Sequence, residues 1–123
     1  MPLVDAICHI YEPNPLACGQ AVLCMLSGLS YEEIIDIVKT ERETTLKDMK
    51  NALKTLGISM SENRILANNK GDLPPVALLS LETPKCWHWS LYFKGIFYDP
   101  EYGILGDFPP SNRRYYWEIT AEN

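Results

Sequence analysis

The sequence predicts an α+β domain, with helices in its first half and an antiparallel sheet in its second. Two patterns carry this expectation. Apolar residues recur at helical spacing between capping residues up to position 57, and aromatic and β-branched runs with period-two alternation follow position 75. The 123 residues, 46% hydrophobic and 22% charged, suit a single domain, 1-123, that buries one core.

Asn14-Pro15 reads as a helix opening, because Asn caps free amides and Pro suits the first helical position. Gly28 closes this segment, whose middle, Ala21 to Leu26, is apolar on every side and therefore requires burial all round. Ser30-Tyr31-Glu32-Glu33 is a capping box that starts a second helix, with Ile34, Ile35 and Val38 on one face. Thr44 or Thr45 caps a third, in which Leu46, Met49, Leu53 and Leu56 keep helical spacing until Gly57. Ile58 to Leu66 is a weak strand candidate, and Pro75 to Leu81 fits a buried strand. Cys86 to Asp99 forms two aromatic-rich runs around Lys94-Gly95, the pattern of a hairpin, and Arg113 to Thr120 supplies a final strand. Asn68 to Asp72 and Gly103 to Asn112 carry turn chemistry.

Sixteen acidic against eleven basic side chains give a formal charge of −5, a field that opposes phosphate backbones and argues against nucleic acid as partner. No apolar run approaches the roughly 18 residues a membrane helix needs, and Met1 to Asp5 does not read as the start of a secretory signal. The expectation is a soluble, cytoplasmic protein with no membrane segment. Cys8, Cys18, Cys24 and Cys86 contain no close pair of the kind that zinc knuckles and redox dithiols use, so neither a metal nor another cofactor is expected.

Cys18 falls in the opening turn of the first helix, where free amides and the helix dipole favour a thiolate, the nucleophilic form. Gly19 has no side chain, which leaves room for a substrate backbone. A half-buried, inert thiol is the plainer reading of the same residue. In Trp87 to Phe93, alternation puts Trp87, Trp89, Leu91 and Phe93 on one face and His88, Ser90 and Tyr92 on the other. A two-residue loop at Lys94-Gly95 sets Asp99 opposite Ser90, and so on the face of His88, one diagonal step away. A bulged three-residue loop reverses that parity. With the two-residue loop, Cys18, His88 and Asp99 supply a nucleophile, a base and a group that orients the base. The plainer alternatives are a surface histidine and a turn aspartate before Pro100; His9 has no comparable setting.

These residues resemble the papain-like cysteine peptidases, and most closely the compact branch that includes the bacteriocin leader peptidases acting at double-glycine sites. The resemblance is carried by Cys18-Gly19-Gln20-Ala21-Val22-Leu23, Gly28 to Ile34, His88-Trp89-Ser90-Leu91 and Tyr98-Asp99-Pro100 with Gly103, in that order. It implies a nucleophile helix packed on a C-terminal antiparallel sheet, and attack by Cys18 on an amide or related acyl carbon of a peptide or protein substrate. The product of that attack is a thioester acyl-enzyme. Relatives in the wider superfamily also deamidate glutamine, transfer acyl groups or serve as inactive binding domains.

There is one departure from the pattern. The family places a glutamine six residues before the cysteine, whose amide helps to stabilise the oxyanion, and this chain has Glu12 there. An ionised carboxylate cannot donate a hydrogen bond. The oxyanion candidates are therefore Glu12, Asn14 and the Cys18 backbone amide.

Overall fold

The computed structural model describes residues 3–121; Met1 and Pro2, part of the segment tested above for a secretory signal, lie outside them. The helices are α1 (Cys18–Ser27), α2 (Tyr31–Val38) and α3 (Leu46–Thr55). The strands are β1 (Ile58–Met60), β2 (Ile65–Leu66), β3 (Val76–Glu82), β4 (Trp87–Phe93), β5 (Ile96–Asp99), β6 (Gly103–Leu105) and β7 (Arg114–Ala121). Among the described residues seven strands pair antiparallel in the order β1-β7-β3-β4-β5-β6, with β2 also on β7, so the fold is α+β.

The local signals act as read in α2 and α3. Both begin with complete capping boxes, Ser30 with Glu33 and Thr45 with Asp48, each box satisfying two free amides. Gly28 closes α1 in the left-handed conformation that glycine adopts without steric cost. The start of α1 differs from expectation. Asn14 Oδ1 accepts from the Leu16 N–H at 2.9 Å, forming a turn one step ahead of the helix, and α1 begins at Cys18 with no side chain capping it. Gly19 to Ser27 are all buried, as a helix apolar on every side demands.

The sheet is covered on both faces. Leu78, Leu91, Phe93, Trp117 and Ile119 pack against the helices. Ala77, Leu79, Leu81, Tyr92 and Phe97 form a second, smaller cluster with Leu73, Leu105 and Phe108 from the loops and β6. His88 and Asp99, 3% and 0% exposed, are therefore interior groups and not surface polar residues. Trp87 shares its parity with core residues yet is 45% exposed, because it lies at the end of β4, where it stacks on Tyr115 with the Arg113 guanidinium above it. Leu46 is likewise exposed, at the first residue of α3.

Lys94 and Gly95 form the two-residue loop. Both have positive φ, 48° and 94°, as the primed hairpin turn requires, and Phe93 pairs with Ile96 and Leu91 with Tyr98. Extending that register by one residue sets Ser90 opposite Asp99. This is the parity that brings the site together.

Candidate active site

Asp99 stands at the end of β5, and its carboxylate is fully engaged. Oδ1 accepts from His88 Nε2 at 2.9 Å and from the Glu101 and Tyr102 backbone N–H groups at 2.8 and 2.9 Å. Oδ2 accepts from Ser90 Oγ at 2.6 Å. Burial raises the Asp99 pKa, but the hydrogen bond and charge of His88, together with Ser90 and the Tyr102 amide, outweigh it and hold the carboxyl below its usual range.

His88 is governed by the same competition. Burial alone disfavours the imidazolium; the hydrogen bond to Asp99, and then Cys18, overcome it and push the pKa up to about 10. With Nε2–H committed to Asp99, Nδ1 is the ring nitrogen left for the Cys18 side.

Cys18 is the first residue of α1, and its Sγ accepts the Trp89 backbone N–H at 3.5 Å, so α1 docks end-on against the strand that carries His88. That docking is held from below. Trp89 Nε1 donates to the Thr44 carbonyl at 3.0 Å, and Gln20 Nε2 donates to the carbonyls of Thr40 and Arg42 at 3.0 and 2.7 Å. The loop between α2 and α3 is thereby tied to both α1 and β4. Gly19 serves this packing and not a substrate: it is buried, and a Cβ there would collide with Thr44 Oγ1 and press on Met49. Cys8, Cys24 and Cys86 are also free thiols, and burial raises Cys24 to about 11.

The oxyanion candidates separate. The backbone amide of Cys18 opens a helix that no side chain caps. Asn14 is exposed, with its amide oxygen taken by Leu16 in the turn before the helix. Glu12 is anchored beside the histidine–aspartate pair, its N–H donating to the Pro100 carbonyl at 2.8 Å. Its Oε1 is shut off from solvent with no hydrogen-bond partner, and burial, followed by the charges of Glu101 and Asp99, raises its pKa against the opposing effect of His88.

His9 is a member of the site that the sequence reading passed over. Its Nε2–H donates to the Asp99 carbonyl at 2.8 Å, bracing the main chain of the residue that orients His88. No sequence pattern signals this, because the contact joins residues 90 positions apart through a segment without regular structure.

Among the described residues no group of three His, Cys, Asp or Glu could hold a metal ion, and no helix is long and apolar enough to cross a membrane.

No family model and no curated protein sequence matches the chain. Among solved structures it is similar to a double glycine motif protease from an AMS/PCAT transporter, determined in complex with the leader peptide. The TM-score is 0.60 at 14% identity, over 97% of this chain and 98% of that one. Over nearly its whole length, then, the chain has the papain-like fold of the double-glycine motif proteases, as its sequence motifs suggested.

Proposed function

We propose that the protein is a papain-like cysteine hydrolase, a peptidase that cleaves an amide bond through Cys18, His88 and Asp99. The observation that carries this reading is the buried His88–Asp99 bond one strand position from the amide that the Cys18 sulfur contacts. Besides closing the turn at Glu101 and Tyr102 and accepting from Ser90, the aspartate holds the imidazole with Nε2 protonated.

In this mechanism His88 Nδ1 takes the Cys18 proton, and Sγ attacks the carbonyl carbon to give a tetrahedral oxyanion beside the Cys18 amide. Collapse expels the amine, which receives the proton from His88, and leaves a thioester on Cys18. Water, deprotonated by His88, then attacks the thioester, releasing the acid and restoring the thiol. The likeness to a protease solved with a leader peptide supports a peptide as substrate.

The same intermediate serves a glutamine deamidase or an acyltransferase. Mass spectrometry of candidate peptides incubated with the protein distinguishes these outcomes: hydrolysis splits the chain, deamidation adds about one dalton, and acyl transfer joins an acceptor to the released acyl fragment. Cys18→Ala abolishes each of them. Turnover that persists in Cys18→Ala overturns the reading. Glu12, where the family has glutamine, favours a peptide-binding domain without turnover, which peptide capture with equal affinity by Cys18→Ala and wild type, and no product from either, would establish.

A further inference from the structure

We propose that Glu12 in its neutral, protonated form is the second oxyanion donor of this site, so that formation of the tetrahedral intermediate is confined to the acid side of the Glu12 titration. The inference rests on the Cys18–His88–Asp99 reading and extends it to a residue that the family pattern counts as a defect.

Three observations support this role. Glu12 occupies the position six residues before Cys18, and its backbone is pinned to the Pro100 carbonyl, directly after the residue that orients His88. Its Oε1 is shut off from solvent and has no partner, a state that an ionised carboxylate tolerates worse than a neutral carboxyl. Among the described residues no lysine or arginine pairs with it: Lys85, on the turn between β3 and β4, is held by Glu101 Oε2 at 2.9 Å. The groups that act on it are His88 on β4, Asp99 at the end of β5, and Glu101 and Lys85 on the turns alongside. Burial and the two neighbouring acids favour the neutral form, while the His88 cation opposes it.

A neutral carboxyl carries one O–H donor, which an ionised one lacks. When Cys18 Sγ bonds to a carbonyl carbon, the C=O π pair moves to oxygen, and that oxygen accepts from the Glu12 O–H and the Cys18 N–H. The proton stays on Glu12 and the electron count is unchanged. When Glu12 ionises, the donor is replaced by a negative charge facing a second one.

The test uses a peptide ending in a Gly-Gly aldehyde, which adds Cys18 reversibly and places an oxyanion in the hole. Iodoacetamide, whose saturated carbon forms no oxyanion, is measured in parallel on the same samples. Aldehyde affinity is determined from acid to mildly alkaline pH for wild type and Glu12→Gln. Taking the ratio of the two proteins removes the titrations they share. The expected result is a wild-type to Glu12→Gln affinity ratio that falls by about 10²-fold as pH rises, the size of one lost oxyanion donor. A ratio that does not change with pH overturns the inference. So does an aldehyde that binds neither protein; if Cys18 then also alkylates no faster than Cys8 and Cys86, the catalytic reading falls with it. Should Glu12→Gln fail to fold, the wild-type aldehyde profile divided by its own alkylation profile must show the same loss with rising pH, and its absence counts against the proposal.

Discussion

Asp99 and Ser90 face each other across the β4–β5 hairpin, with Ser90 Oγ donating to Asp99 Oδ2 at 2.6 Å while His88 Nε2 donates to Oδ1 at 2.9 Å. A two-residue loop sets this pairing, and one added residue at Lys94-Gly95 would turn Asp99 to the opposite face of the sheet. Inserting a residue there is expected to abolish Cys18 activation while β3 and β7 remain paired. Alkylation rates and circular dichroism check the two halves of that expectation.

Removing Asp99 leaves a buried imidazole and a buried hydroxyl without their acceptor. Asp99→Ala is expected to destabilise the fold by about 3–5 kcal/mol, the range for breaking a buried ion pair. Ser90→Ala, which removes one hydrogen bond to a charged group, should cost about 1.5–3 kcal/mol. Urea unfolding of the two variants measures both.

The His88–Asp99 pair also makes stability depend on pH. A histidine raised in the folded state stabilises fully below its unfolded value near 6.5, and that contribution is lost as pH rises toward its folded value of about 10. Unfolding free energy should therefore decline across that window in wild type. In His88→Gln, which does not titrate there, the decline should be largely absent. Chemical unfolding at several pH values provides the comparison.

Gly19 tests the packing behind Cys18. Gly19→Ala drives a methyl group into Thr44 and toward Met49, and overpacking of this kind costs about 1–3 kcal/mol. Because Thr44 also accepts from Trp89 Nε1, and the Trp89 N–H contacts Cys18, the variant should slow Cys18 alkylation as well as lower the melting temperature.

His9 braces Asp99 from the main chain. His9→Phe keeps a ring of similar shape and deletes the donor to the Asp99 carbonyl, with an expected cost of about 1 kcal/mol. The accompanying loss in alkylation rate should be smaller than for Asp99→Ala, since the Asp99 carboxylate retains its own four donors.

What could be read from the sequence was local. The capping box at Ser30, a threonine cap at Thr44 or Thr45, the all-round apolar α1 and the Lys94-Gly95 loop each rest on neighbouring residues, and each appears in the fold, with Thr45 as the cap. The parity of that loop was enough to bring His88 and Asp99 to one face. Features that depend on distant chain were not legible. Loop residues Leu73 and Phe108 cover the second sheet face, and the N-terminal segment brings His9 and Glu12 to the Asp99–Pro100 turn. β6 carries turn signals in the sequence, because its three residues lie among turn formers and gain strand geometry only by pairing with β5. Asn14 signalled a cap, and its side chain instead closes the turn just before the helix.

The central claim is that His88 activates Cys18, and site-resolved alkylation tests it most directly. Each cysteine would be followed by peptide mass spectrometry, with the exposed Cys8 and Cys86 as internal references, in wild type and in His88→Ala across acid and neutral pH. The account predicts that wild-type Cys18 reacts faster than both references in acid, where ordinary thiols are protonated, and that His88→Ala removes the advantage. Cys18 reacting no faster than Cys8 and Cys86, or keeping its rate without His88, would contradict it.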